Sequence, residues 1–216
     1  MKKNEKFVIT INRELGSGGR TVGRKLAEKL GVDYYDKAVI KGLKEKYHLS
    51  EREIERSKGC DKGWWSEFKR AMGIGGYGSV ASYYDPKLGY GELFDTKTMF
   101  RDETEILNRI AEDESCVIAG RSGFFVFRNH PNHLSIFIQA SMSYRLERVM
   151  RKQNITEEEA RKTITLIDQM RENYVKECTK TSRYDTRNYN LVISMDDMDE
   201  DAAVDVIMAY IDKMAK

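Results

Sequence analysis

Between Asn12 and Thr21 the chain reads NRELGSGGRT, with Gly16, Gly18 and Gly19 bracketed by Arg13 and Arg20. Glycine-rich chain that runs into a helix presents backbone N–H groups with no partner of their own, and the helix dipole adds partial positive charge. Such a stretch suits an anion, phosphate first of all. The competing reading is a turn whose glycines, with Ser17 among them, only let the helix pack close to a sheet.

Two ligand patterns compete for these residues. A dinucleotide site wants G-x-G-x-x-G, but Gly16 and Gly18 are followed by Thr21 where the third glycine belongs, and Gly23 comes two residues late. Asp36, 20 residues after Gly16, still suits the acid that such a site sets against a ribose. A mononucleotide loop wants G-x-x-x-x-G-K-[ST]. With its second glycine on Gly18, the first-glycine, lysine and hydroxyl positions fall on Arg13, Gly19 and Arg20. Neither pattern matches cleanly. Arg20 is the substitute expected for the missing lysine, since a guanidinium grips phosphate through two N–H groups at once. A cation in the first helical turn opposes the dipole unless an anion lies near. Arg13 is next in line, with a salt bridge to Glu14 or a later acid as its structural alternative. Thr21 is the hydroxyl nearest to a magnesium position, one residue late.

These groups need a strand before the loop and a helix after it. KFVITI is a β-branched run that reads as a buried strand; Val22, Leu26 and Leu30 then recur at helical spacing, and Gly31 supplies the stop. VDYYD, SCVIAG, LSIFIQA and NYNLVIS are further strand-like runs alternating with helical pattern, which implies an α/β fold with a parallel, doubly wound sheet of five strands. Asp36 ends the second strand, where it could orient magnesium through water, act as a base or cap the next helix. Arg121 follows a strand and a glycine at the carboxyl edge, where open sheets bind ligands. TEEE, from Thr156, is a capping box that opens a helix with Ala160, Ile164, Ile167, Met170 and Tyr174 along one face; SERE, from Ser50, is another. Asp168 and Arg171, three apart, read as an ion pair on a solvated face. The last helix starts near Asp199 and turns Ala203, Ile207 and Tyr210 inward.

The 216 residues suit one domain with insertions. Thirty-seven basic residues against 35 acidic ones leave a net charge of +2, too balanced for bulk nucleic-acid binding. Cys60, Cys116 and Cys178 form no C-x-x-C pair, and His48, His130 and His133 show no metal spacing, so a reducing cytoplasm is expected and a disulfide framework is not. The five-residue run from Phe7 to Ile11 is too short for a signal-peptide core, and no run approaches a membrane span. Gly59 to Gly91 holds half of the 16 glycines and both tryptophans without any period. Its first reading is a surface excursion or a contact between copies of the chain in a homo-oligomer, and its second a flap over a ligand.

The pieces ITINRELGSGGR, VDYYDKAVI, CVIAGRSGFFVF, LSIFIQASMSYRLERVM, ITEEEARKTITLIDQMRENYVKECT and YNLVIS, in that order, resemble the cytidylate kinase-like family, relatives of bacterial cytidylate kinase among the P-loop kinases. The resemblance implies a P-loop, three-layer α/β/α domain with an insertion at about 59–96 and a helical lid at about 157–187. It implies that GSGGR wraps the phosphates of ATP, with Arg145 and Arg148 near the lid, and that Asp36, Lys37 and Arg121 face the acceptor. The lid would carry Arg171, Lys176 and Arg183. The family pattern is altered at Gly19, at Arg20 and at Ala119, which stands where an acid ends the third strand. The leading expectation is a nucleoside monophosphate kinase that uses ATP and magnesium and takes a pyrimidine monophosphate such as CMP. The alternatives are a kinase of another small acceptor, a nucleotide-binding regulatory protein of the same fold that transfers nothing, and a dinucleotide oxidoreductase.

Overall fold

The computed structural model describes residues 1, 4–35, 96–120 and 122–214. Five strands, β1 (Val8–Arg13), β2 (Asp33–Tyr35), β3 (Cys116–Ala119), β4 (His133–Gln139) and β5 (Leu191–Ser194), form one sheet in the order β2-β3-β1-β4-β5. Every pairing is parallel, so all strands end at one edge, and the expected sheet is the observed one. The helices are α1 (Gly19–Leu30), α2 (Thr96–Asp113), α3 (Gly123–Val126), α4 (Met142–Gln153), α5 (Glu157–Thr179) and α6 (Glu200–Met214).

Side chains alternate across a strand, so β1 and β3 feed two cores. Ile9, Ile11, Ile136 and Ile138 meet Val22 and Leu26 of α1 and Ala203, Val204, Ile207 and Ile211 of α6. Each of the four isoleucines is fully buried, worth about 1.5–3 kcal/mol apiece. On the other face Val8, Cys116 and Ile118 meet Leu107 and Ile110 of α2, with Phe127. Helices on both faces are what a parallel sheet requires. Tyr210 only flanks the first core, and Val204 and Ile211 complete the inner face of α6.

Local signals set the helix ends. Gly31 closes α1 at φ 65°, a left-handed value that costs glycine little. Thr156 and Glu159 form both halves of the capping box that opens α5. The expected apolar face of α5 holds at Ala160, Ile164 and Ile167, but Met170 is 45% exposed. Beyond Ile167 the buried stripe turns polar, through Asp168 and Glu172, because it passes over a group of arginines at the carboxyl edge of the sheet. The SERE capping box and the glycine-rich insertion lie outside the described residues. Among the described residues, no helix is long and apolar enough to cross a membrane.

Candidate phosphate-binding site

The loop from Glu14 to Gly18 is tied down on its outer side. Glu14 N–H donates to the Ile138 carbonyl (3.1 Å), and the Glu14 carboxylate accepts from Ala140 N (3.2 Å). Leu15 N–H donates to the Asp168 carboxylate (3.0 Å), and the Leu15 carbonyl accepts from Arg145 Nε (2.8 Å). Ser17, fully buried, turns its hydroxyl onto the Glu14 and Ile138 carbonyls (3.0 and 3.1 Å). These bonds use the side of the loop that faces the protein.

The other side is left open. Gly16 and Gly18 adopt φ 87° and 86°, left-handed values that curl the chain so that successive N–H groups converge. The amides of Gly16, Gly18 and Gly19 meet no acceptor among the described residues. A methyl group on Gly16 would meet the Arg145 carbonyl at 2.9 Å, so the curl depends on glycine. The result is an anion cradle at the N-terminus of α1.

Charged side chains surround it. Arg148 pairs with Glu200, and its Nη2 lies 3.5 Å from the Thr21 hydroxyl, alongside Gly18. Arg20 is exposed on the first turn of α1. The Lys152 ammonium is held below its usual value by burial first and by Arg148 next; Arg151 and Arg20 push the same way and Glu200 opposes them. The mouth of the cradle is therefore electropositive.

Behind it sits a buried hub. Asp168, 6% exposed, pairs with Arg145, Arg171 and Arg183. Arg183 is fully buried and donates to the Arg13 carbonyl, which also accepts from Arg171 Nη1 at 3.4 Å. Asn12 Oδ1 accepts from Arg13 N–H (2.9 Å), while Asn12 Nδ2 donates to the Tyr189 hydroxyl (2.7 Å). Burial, and then the charges of Arg13 and Arg183, push the Arg171 guanidinium down to about 9 against the pull of Asp168. Positive charge is in excess here, the condition in which a bound anion gains most.

The geometry sorts the expected residues. Gly16, Ser17, Gly18, Gly19 and Thr21 make one loop, with Arg13, Arg145, Arg148 and Arg171 around it; Arg145 spends its guanidinium on Leu15, Glu14 and Asp168. Asp36, Lys37 and Arg121 lie outside the described residues. Asp168 is buried and Arg171 reaches it from a half-buried position, which corrects the expectation of a solvated pair. Asp168, Glu14 and Asn12 were not legible as site residues. Their partners lie up to 177 positions away, and no local spacing announces such contacts.

The model of the cytidylate kinase-like family matches residues 8–197. The chain belongs to the cytidylate kinase-like family. Among curated proteins it is similar to shikimate kinase 1 of Escherichia coli (strain E24377A), 25% identical over 153 residues. That match takes in 68% of this chain and 66% of the relative, just under two thirds of the relative's length. The crystal structure of an uncharacterized protein from Eubacterium ventriosum resembles the fold with a TM-score of 0.64 at 24% identity, covering 96% of this chain and 99% of that one. TT1252 from Thermus thermophilus gives 0.52 at 15% identity, over 95% and 98% of the two chains. These two likenesses concern the fold, a P-loop α/β/α domain.

The cytidylate kinase-like fold places its phosphate loop between the first strand and the first helix, and here that position holds the open amides of Gly16, Gly18 and Gly19. The cradle thus fits a nucleotide's phosphates. Among the described residues no group of three or more His, Cys, Asp and Glu is arranged to hold a metal ion. Magnesium in such a site asks for less, one or two protein oxygens beside phosphates and water.

Proposed function

We propose that the protein is an ATP-dependent phosphotransferase that passes the γ-phosphoryl group to a nucleoside monophosphate, with CMP as the first acceptor. The observation that carries this reading is the open amide cradle, with arginines from β1, α1, α4 and α5 around one end of the sheet. Phosphoryl transfer needs positioning and positive charge more than covalent chemistry, and these are the two things the arrangement offers. Loop amides hold the phosphate chain, Arg20 and Arg148 meet it at the mouth, and Arg171 meets it from α5, which serves as the lid. Magnesium, held through Thr21 and Asp36, would supply charge neutralisation between the two terminal phosphates. Asp36, Lys37 and Arg121 receive the acceptor. Three cysteines spread along the chain without a C-x-x-C pair suit a reducing, cytoplasmic setting.

The test is a coupled assay for ADP release with each nucleoside monophosphate, and with shikimate and other small hydroxyl acceptors. Turnover on CMP at about 1 per second or faster, the low end for kinases, supports the reading. Turnover on a non-nucleotide acceptor alone would keep the kinase and reject the acceptor. A second reading, nucleotide binding without transfer, is favoured by Gly19 and Ala119, where a lysine and an acid are missing. Under it ATP raises the melting temperature while no acceptor is turned over.

A further inference from the structure

Gly19 stands where a phosphate-loop lysine would be, and its surroundings give the reason. A methyl group placed on Gly19 would meet Arg13 Cβ at 2.6 Å, Arg13 Cγ at 3.1 Å and Ile138 Cβ at 3.1 Å. Real side chains do not approach so closely, so no side chain of any kind enters at position 19 while Arg13 is in place. The Arg13 stem runs along Gly19, and its guanidinium ends against Gly120, directly after β3; a methyl group there would sit on Arg13 Nη1. One arginine thus spans the gap between the start of α1 and the end of β3; Gly19 makes room for its stem, while Gly120 is glycine for its own left-handed φ of 85°. Its main chain is fixed as well, by Asn12 on its N–H and by Arg171 and Arg183 on its carbonyl.

We infer that Arg13, reaching in from the end of β1, is the catalytic cation that replaces the loop lysine, ahead of the exposed Arg20. The inference rests on the kinase reading above. The Arg13 stem lies against Gly19 of the cradle, and its backbone anchors let the guanidinium meet developing charge on the transferred group with little reorganisation. Arg20 is exposed on the solvent side of α1 and enters from the mouth.

The experiment compares Arg13→Gln, Arg13→Lys and Arg20→Ala for ATP affinity by calorimetry, for kcat and KM, and for thermal melting. Arg13→Gln keeps the stem against Gly19 and removes only the charge, so the fold is kept. It should weaken ATP binding by about 10-fold and slow transfer by roughly 100-fold or more, the scale of losing one preorganised contact. Arg13→Lys should recover part of both. The loss in Arg20→Ala should be at least several-fold smaller than in Arg13→Gln.

Unchanged affinity and rate in a folded Arg13→Gln protein would overturn the inference. So would an Arg20→Ala loss that equals or exceeds the Arg13→Gln loss. If the wild type binds ATP but turns over no acceptor, the kinase reading fails and the calorimetry still decides the place of Arg13. Failure of the wild type to bind ATP overturns both.

Discussion

Asp168 is the residue on which most of the site's charge converges. It accepts from the Leu15 amide and pairs with Arg145, Arg171 and Arg183 from a position 6% exposed. Removing one partner of a buried ion pair costs more than the pair is worth, because the other charge stays buried alone. Asp168→Ala should therefore lower unfolding free energy by about 3 kcal/mol or more, read by urea denaturation. Addition of ATP should restore part of the loss, since its phosphates supply negative charge to the same arginines. None of this was visible in the chain's local pattern. Asp168 and Arg171 have the spacing of an ordinary surface pair, and what makes them different is burial, which depends on helices and loops distant in sequence. Gly19 is a similar case: the sequence shows the lysine missing, while the reason for it appears only once Arg13 Cβ is placed beside it.

The elements were more legible because their signals are local. The five strands and the capping box at Thr156 rest on β-branched runs and on two residues three apart, and both kinds of signal survive tertiary context. The outward turn of Met170 shows the limit, since a stripe defined by apolar residues cannot register a helix whose buried face becomes charged. Thr156→Ala removes the acceptor for the Glu159 amide and should cost about 1 kcal/mol, seen as a lower urea midpoint with the slope unchanged. Lys25→Ala, on α1, should leave the urea midpoint at the wild-type value, because its bridge to Asp201 joins two exposed groups. Its ATP affinity should match the wild type, which makes it the control for charge removal on that helix.

For the molecule as a whole, pH acts at the end of the sheet away from the site. His133 opens β4, bonded to the Thr10 hydroxyl at 2.7 Å, and burial first, then His130, hold its imidazole down to about 4. An unfolded chain takes up this proton near pH 6.5, and the folded chain does so only near 4. Stability from this residue is therefore complete above 6.5 and is lost as pH falls towards 4, by up to ~3 kcal/mol at 1.36 kcal/mol per unit. Denaturation at pH 7 and pH 4.5 should show the wild type losing roughly 2 kcal/mol more than His133→Asn between the two.

The contact between Arg13 and Gly19 also bears on how the chain could change. Lysine at position 19 is barred while Arg13 keeps its stem, and loss of Arg13 with glycine still at 19 leaves the cradle without that cation. A path towards the ordinary loop therefore crosses a valley in either order of single steps, a ratchet built from one steric contact. A library randomised at positions 13 and 19 and sorted for ATP binding should recover lysine at 19 only alongside glycine at 13, since any larger residue keeps the Cβ that a side chain at 19 meets at 2.6 Å. Recovery of lysine at 19 beside an intact Arg13 would show that the backbone yields more readily than the 2.6 Å approach implies.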